Sequence, residues 1–230
     1  MIANDERVVL VDTGFRAETG LRRGRAMLRC PIDSLSLCGF DVRQVRDVIL
    51  THLHYDHAGN MGRFDAAHFH LQRREIEFVT SAMMSSTNPN LGGSVEASDI
   101  HTLLDLIFAG RVNILDGYAT LAPGIELQRI GGHTPGQQLV RVRTARGWVV
   151  LANDTCHYEK NLADRHPVSA FVDLREMIAG FDTIMRLADG DMSRIIPGHD
   201  PIVMRRFPSP RPSLNDIVVR VDLPPLHIAP

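Results

Sequence analysis

Short, unbroken apolar runs alternate with amphipathic stretches along this chain. Val8-Val9-Leu10-Val11 is one such run, and it stops at Asp12-Thr13-Gly14. Asp47-Val48-Ile49-Leu50-Thr51 is a second, and Arg194-Ile195-Ile196-Pro197 a third. Apolar runs without alternation read as strands buried on both faces. Further strands are expected at 67–72, 112–115, 125–130, 138–144 and 147–152, with a hairpin turn at 144–147. A short helix is expected near 33–38, closed by Gly39, and longer ones at 73–80 and 96–108. The clearest helix covers 173–188. Leu174, Met177, Ile178, Phe181, Ile184, Met185 and Ala188 form one stripe at helical spacing, Asp173 is a fit N-cap and Gly190 a fit stop. Residues 81–95 are rich in Ser, Asn, Gly and Pro and read as a loop, and 207–230 as a proline-rich tail on the surface. Strands alternating with helices predict a single α/β domain over 1–230.

Composition narrows the partners. Of 230 residues, 44% are hydrophobic and 23% charged, which is ordinary for a globular chain and excludes disorder. A net charge of −2 argues against a nucleic-acid partner bound through bulk charge. The sequence has no apolar run of the roughly 18 residues that a membrane span needs. The start, MIANDERVVLVDTG, has no basic segment leading into a long apolar one, and the three cysteines form no CxxC pair. Both point to a reducing cytoplasm. Cys156 is expected to fill space near the chemistry as an oxidation-sensitive thiol.

The chemistry is concentrated in Thr51-His52-Leu53-His54-Tyr55-Asp56-His57-Ala58-Gly59-Asn60. Three imidazoles and a carboxylate fall within six residues, directly after a buried strand. A chain leaving a strand can turn so that His52, His54, Asp56 and His57 face one point. Neutral imidazole and carboxylate suit Zn²⁺ and related divalent ions, and this many donors suggests two of them. Further donors stand at later strand ends: His133 in Gly131-Gly132-His133, Asp154 after Val149-Val150-Leu151-Ala152-Asn153, and His199 in Pro197-Gly198-His199-Asp200. Taken singly, each of these reads as an ordinary loop residue.

Together these motifs resemble the metallo-β-lactamase superfamily, over nearly the whole chain from VDTG through HxHxDH to His199. The resemblance implies an αββα sandwich, two mixed β-sheets flanked by helices, with metals at one edge. It implies that His52, His54 and His133 hold a first ion, that Asp56, His57 and His199 hold a second, and that Asp154 bridges them. Within the superfamily the chain is most similar to the N-acyl-homoserine lactonases, on THLHYDHAGN, the His70-Leu71-Gln72 strand end and Ile196-Pro197-Gly198-His199-Asp200-Pro201. The implied activity is quorum quenching: a hydroxide bridging two divalent ions attacks a lactone carbonyl, and Asp56 ligates and shuttles a proton. Zn²⁺ is the expected metal, with Fe²⁺, Mn²⁺ or Co²⁺ as substitutes.

Two departures from that group stand out. Its lactonases often carry a tyrosine three residues after the bridging aspartate, which hydrogen-bonds the substrate. Here that position is His157, followed by Tyr158. Either can orient substrate or protonate the leaving group, or His157 can be a supporting residue. Only about seven residues precede the first buried strand, where the family usually has a hairpin that helps form the substrate rim. A short hairpin would leave apolar edge surface, which favours a homodimer. A thioesterase resembling glyoxalase II shares THxHxDH, but the segment after Phe207 is too short for that group's helical domain. A metal-binding scaffold without turnover is the remaining alternative.

Overall fold

The computed structural model describes residues 1–226; the last four positions of the tail lie outside the described residues. The chain divides into two units, the first spanning Met1–Asp116 and the second beginning at Gly117. In the first, a five-stranded sheet has the order β1 (Ile2–Ala3), β2 (Val8–Val11), β3 (Val45–Ile49), β4 (His68–Gln72), β5 (Val112–Leu115). β1 pairs antiparallel with β2, and the other pairings are parallel. Val9, Val45, Val48, Ile49, Phe69 and Leu71 are fully buried, as the unbroken apolar runs require of a parallel sheet. Five helices connect these strands: α1 (Ala17–Arg22), α2 (Pro31–Leu37), α3 (Tyr55–Ala58), α4 (Arg73–Val79) and α5 (Ala97–Phe108). In an open parallel sheet, ligands gather beyond the carboxyl ends of the strands. Those ends carry Asp12-Thr13-Gly14 after β2 and Thr51–His57 after β3.

In the second unit β6 (Tyr118–Ala122), β7 (Ile125–Arg129), β8 (Gln138–Thr144) and β9 (Gly147–Asn153) form an antiparallel meander. β10 (Ile195–Pro197) adds to β9 in parallel, giving the order β10-β9-β8-β7-β6. This register makes β7, β9 and β10 run the same way. Their carboxyl ends, which lead to His133, Asp154 and His199, therefore lie at one end of the sheet. Helices α6 (Glu159–Ala163), α7 (Leu174–Leu187) and α8 (Ile202–Arg206) complete the unit. Most of the apolar stripe of α7 meets the sheet: Phe181, Ile184 and Ala188 cluster with Leu139, Val150, Ala152 and Ile195, whereas Leu174 and Ile178 stand exposed. Truncating a buried aromatic such as Phe181 costs about 3–5 kcal/mol. Asp173 caps α7 as expected, its Oδ1 accepting from the amides of Arg175 (2.7 Å) and Glu176 (3.0 Å).

The expected strands and longer helices appear with boundaries shifted by one or two residues. β1, β6 and the short helices α1, α3, α6 and α8 were not anticipated. No helix among the described residues is long and apolar enough to cross a membrane.

Candidate metal centre

In the first unit the donors stand on one turn. β3 delivers Thr51 and His52, and the chain then folds into α3, with His54 at its N-cap and Asp56 and His57 in its single turn. The rings of His52 and His54 lie 4.6 Å apart edge to face, and those of His52 and His57 are 4.0 Å apart. The turn is laced to the segment after β2. Thr13 donates its backbone N–H to the His57 carbonyl (2.7 Å), and Gly59 N–H donates to the Gly14 carbonyl (2.8 Å). Asn60 Nδ2 donates to the carbonyls of Thr13 and Phe15, both at 2.9 Å. A Cβ on Gly59 would lie 2.7 Å from Phe15 Cα, so the close approach requires glycine.

Asp12 aims these imidazoles. Its Oδ1 accepts from Thr51 N–H (2.7 Å), and its Oδ2 accepts from the Thr51 hydroxyl (2.7 Å) and from His57 Nδ1 (2.8 Å). With its proton committed to Asp12, the Thr51 hydroxyl accepts from His52 Nδ1 at 3.1 Å. The lone pairs of His52 and His57 then reside on Nε2. Asp56 is partly exposed, with Oδ2 3.8 Å from His57 Nε2. Nearby, His70 is buried and bonded to Asp47 at 2.9 Å; burial, opposed by that contact, lowers its pKa and favours the neutral ring.

In the second unit Asp154 is the hub. His133 Nε2 and His157 Nε2 approach its Oδ2 at 3.3 and 3.2 Å, and His199 Nε2 approaches Oδ1 at 3.1 Å. The Asp154 turn is held from below. The Gln137 side-chain carbonyl accepts from the amides of Asp154 (3.1 Å) and Thr155 (2.9 Å), and Asn153 Nδ2 donates to the Gln138 carbonyl (3.1 Å). His133 Nδ1 donates to the Ala170 carbonyl at 2.7 Å, which again puts the lone pair on Nε2. The preceding glycines let this loop reach the start of α7. Gly132 has φ +92°, and a Cβ there would lie 2.6 Å from Met177 N. Its carbonyl accepts from the Val172 and Asp173 amides (2.8 and 3.0 Å). His133, Asp154 and His157 each offer a donor atom, all within 4.8 Å of one another.

This donor set fits divalent ions. A metal-bound imidazole ordinarily gives its other ring N–H to a carboxylate, hydroxyl or carbonyl, which fixes tautomer and orientation. His52, His57 and His133 are each held that way. The profile of the Metallo-beta-lactamase superfamily matches residues 1–199. The chain belongs to the metallo-beta-lactamase superfamily. It is a metallo-hydrolase of that superfamily, with its fold. Among its relatives, the N-acyl homoserine lactonase of Bacillus cereus is 25% identical over 222 residues, covering 88% of this chain and 77% of that protein. A solved N-acyl homoserine lactone hydrolase with N-hexanoyl-L-homoserine at its catalytic metal centre superposes with a TM-score of 0.71. It is 24% identical and covers 88% of this chain and 80% of that one. AidC, a dizinc quorum-quenching lactonase, superposes at 0.65 with 23% identity, covering 86% of this chain and 70% of its own.

Of the residues expected to carry chemistry, His157 joins the Asp154 cluster. Tyr158, 44% exposed, caps α6. Cys156 fills space in the core as expected, but its thiol donates to the Tyr158 carbonyl (3.2 Å) and burial pushes its pKa up to about 12, which differs from an oxidation-sensitive group. A thiol held protonated resists oxidation. Reasoning from the sequence missed the anchors, namely Asp12, Thr51 and the Ala170 carbonyl. Asp12 and Thr51 left a signal, each as a polar residue ending a buried apolar run.

Proposed function

We propose that this metallo-hydrolase opens lactone rings of the acyl-homoserine type, using two divalent ions, most simply Zn²⁺. His52, His54 and His133 would hold one, Asp56, His57 and His199 the other, and Asp154 would serve both. The observation that carries the reading is the tautomer control at His52, His57 and His133, each with Nδ1 on an oxygen and its lone pair on Nε2. Such ions, when bound, lower the pKa of water from about 15.7 towards 7 and polarise a carbonyl oxygen. The remaining steps belong to side chains. Asp56 accepts the proton released on attack, and its partial exposure lets it pass that proton to solvent. Tyr158 is exposed beside the Asp154 cluster and presents a phenol to orient the ring or protonate the leaving alkoxide. Ring opening consumes one water and yields a hydroxy acid, which ionises at neutral pH. The relative of 25% identity named as a lactonase supports this substrate class.

The test is proton release on adding an acyl-homoserine lactone to zinc-loaded protein, beside a metal-stripped control. Rapid acidification in the loaded sample alone is expected. No acidification, with two zinc ions bound per chain, overturns the lactone reading and directs attention to thioesters and other esters.

A further inference from the structure

We propose that His157 is itself a metal ligand, replacing a substrate-orienting group at that position with an eighth donor. This rests on the metal reading above and goes beyond its seven ligands.

The argument is geometric. Ligands at about 2.0–2.2 Å from one tetrahedral ion stand roughly 3.3 Å from each other. His157 Nε2 is 3.2 Å from Asp154 Oδ2, and His133 Nε2 is 3.3 Å from the same oxygen. All three donor atoms lie within 4.8 Å of one another, and the rings of His133 and His157 meet edge to face at 5.4 Å. His133 Nδ1 donates to the Ala170 carbonyl at 2.7 Å, which holds the ring with its Nε2 towards Asp154 Oδ2. His157 brings its Nε2 to the same oxygen.

The position of His157 is also fixed by the backbone. Its carbonyl accepts from His199 N–H at 3.0 Å, and its ring stacks on His199 at 5.0 Å between centroids and 25° between planes. The side chain is 14% exposed and its Nε2 faces the carboxylate. With His157 taken up by metal, Tyr158 remains as the neighbouring polar group open to substrate. Residues 133–157 then supply three ligands to one ion within a single unit.

The probe is ¹¹³Cd²⁺ bound to the full-length chain labelled with ¹⁵N-histidine. The expected result is resolved ¹¹³Cd–¹⁵N coupling at His157 Nε2, assigned through backbone correlations, so no variant is needed. In His157→Gln, with an unchanged circular dichroism spectrum, the affinity for Cd²⁺ measured against a competing chelator should fall about tenfold or more. Coupling at other imidazoles but none at His157, with affinity in His157→Gln within twofold of the parent, overturns this assignment and leaves the metal reading intact. Absence of coupling at every histidine overturns both.

Discussion

In the first unit four candidate donors crowd into positions 52–57, on a turn braced by one distant carboxylate. In the second, the donors are spread between positions 133 and 199, on the ends of three strands, and are braced by amides and carbonyls around Asp154. The first cluster is compact in sequence but depends on Asp12 for its aim. The second is dispersed in sequence but is aligned by sheet register, which sends β7, β9 and β10 the same way. A contiguous cluster is thus made by local turning, and a dispersed one by topology.

The contrast predicts where single substitutions hurt most. Asp154→Ala removes the hub that three imidazoles face, and with it several kcal/mol of charge stabilisation. Turnover should fall about a thousandfold or more, read as kcat/KM on a lactone, with native circular dichroism. Activity within tenfold of the parent would remove Asp154 from the centre of the mechanism. Asp12→Ala should act less severely. It touches no metal in the proposed scheme, so the effect passes through His52 and His57, and zinc affinity should drop about 10–100-fold. Asp12→Asn keeps one acceptor oxygen and should fall between the parent and Asp12→Ala. Unchanged zinc affinity in Asp12→Ala would mean the turn holds its own geometry, and the contrast between the clusters would collapse.

The same contrast explains what was legible in the sequence. HxHxDH announces itself because its donors are neighbours. The apolar runs and the stripe of α7 announce the sheets and their main helix, because burial imposes a period on the residues. His133, Asp154 and His199 stand alone in loops and become ligand candidates only through the resemblance. The Asp12–His57 contact bridges 45 positions and the His133–Ala170 contact 37, so no local pattern encodes either. β6 was missed because Tyr118 and Thr120 face outward on an edge strand, leaving a weak apolar signal. At the start of helix α6 the Glu159 N–H donates to Asp200 Oδ2, 41 positions away.

One carboxylate in each unit contributes a pH response, and the two have opposite signs. Asp99 is buried against Arg16, whose Nη2 lies 2.6 Å from Oδ1, yet burial outweighs that ion pair and raises the pKa to about 6. The folded first unit therefore takes up a proton as pH falls through 6, before the unfolded chain does. That group's contribution to stability should rise on acidification from pH 7 to 5, and Asp99→Asn should remove it from the slope. In the second unit Asp191 accepts from Ser193 N–H at 2.9 Å, and bonding to Ser193, the largest cause, lowers its pKa. That contribution is present above the ordinary carboxylate range and lost as pH falls through the lowered value. Urea midpoints at pH 5 and 7 for wild type and Asp99→Asn check the sign. A slope that steepens in the variant would refute it.

The mildest test compares the thiols. Cys30 and Cys38 in the first unit are free and half-buried, while Cys156 in the second is buried beside the Asp154 turn. Burial holds the Cys156 thiol at a pKa near 12, so about one part in ten thousand is thiolate at pH 8, whereas Cys30 and Cys38 are only half-buried. Iodoacetamide at pH 8 should therefore modify Cys30 and Cys38 in the native protein and reach Cys156 only after unfolding, as read by peptide mass spectrometry. The function needs no thiol, so alkylating the first two should leave zinc content unchanged. Rapid native labelling of Cys156 would show that the Asp154 turn opens readily to solvent. The dispersed cluster would then depend on bound metal for its order more than on sheet register, and zinc should slow the labelling in proportion to its occupancy.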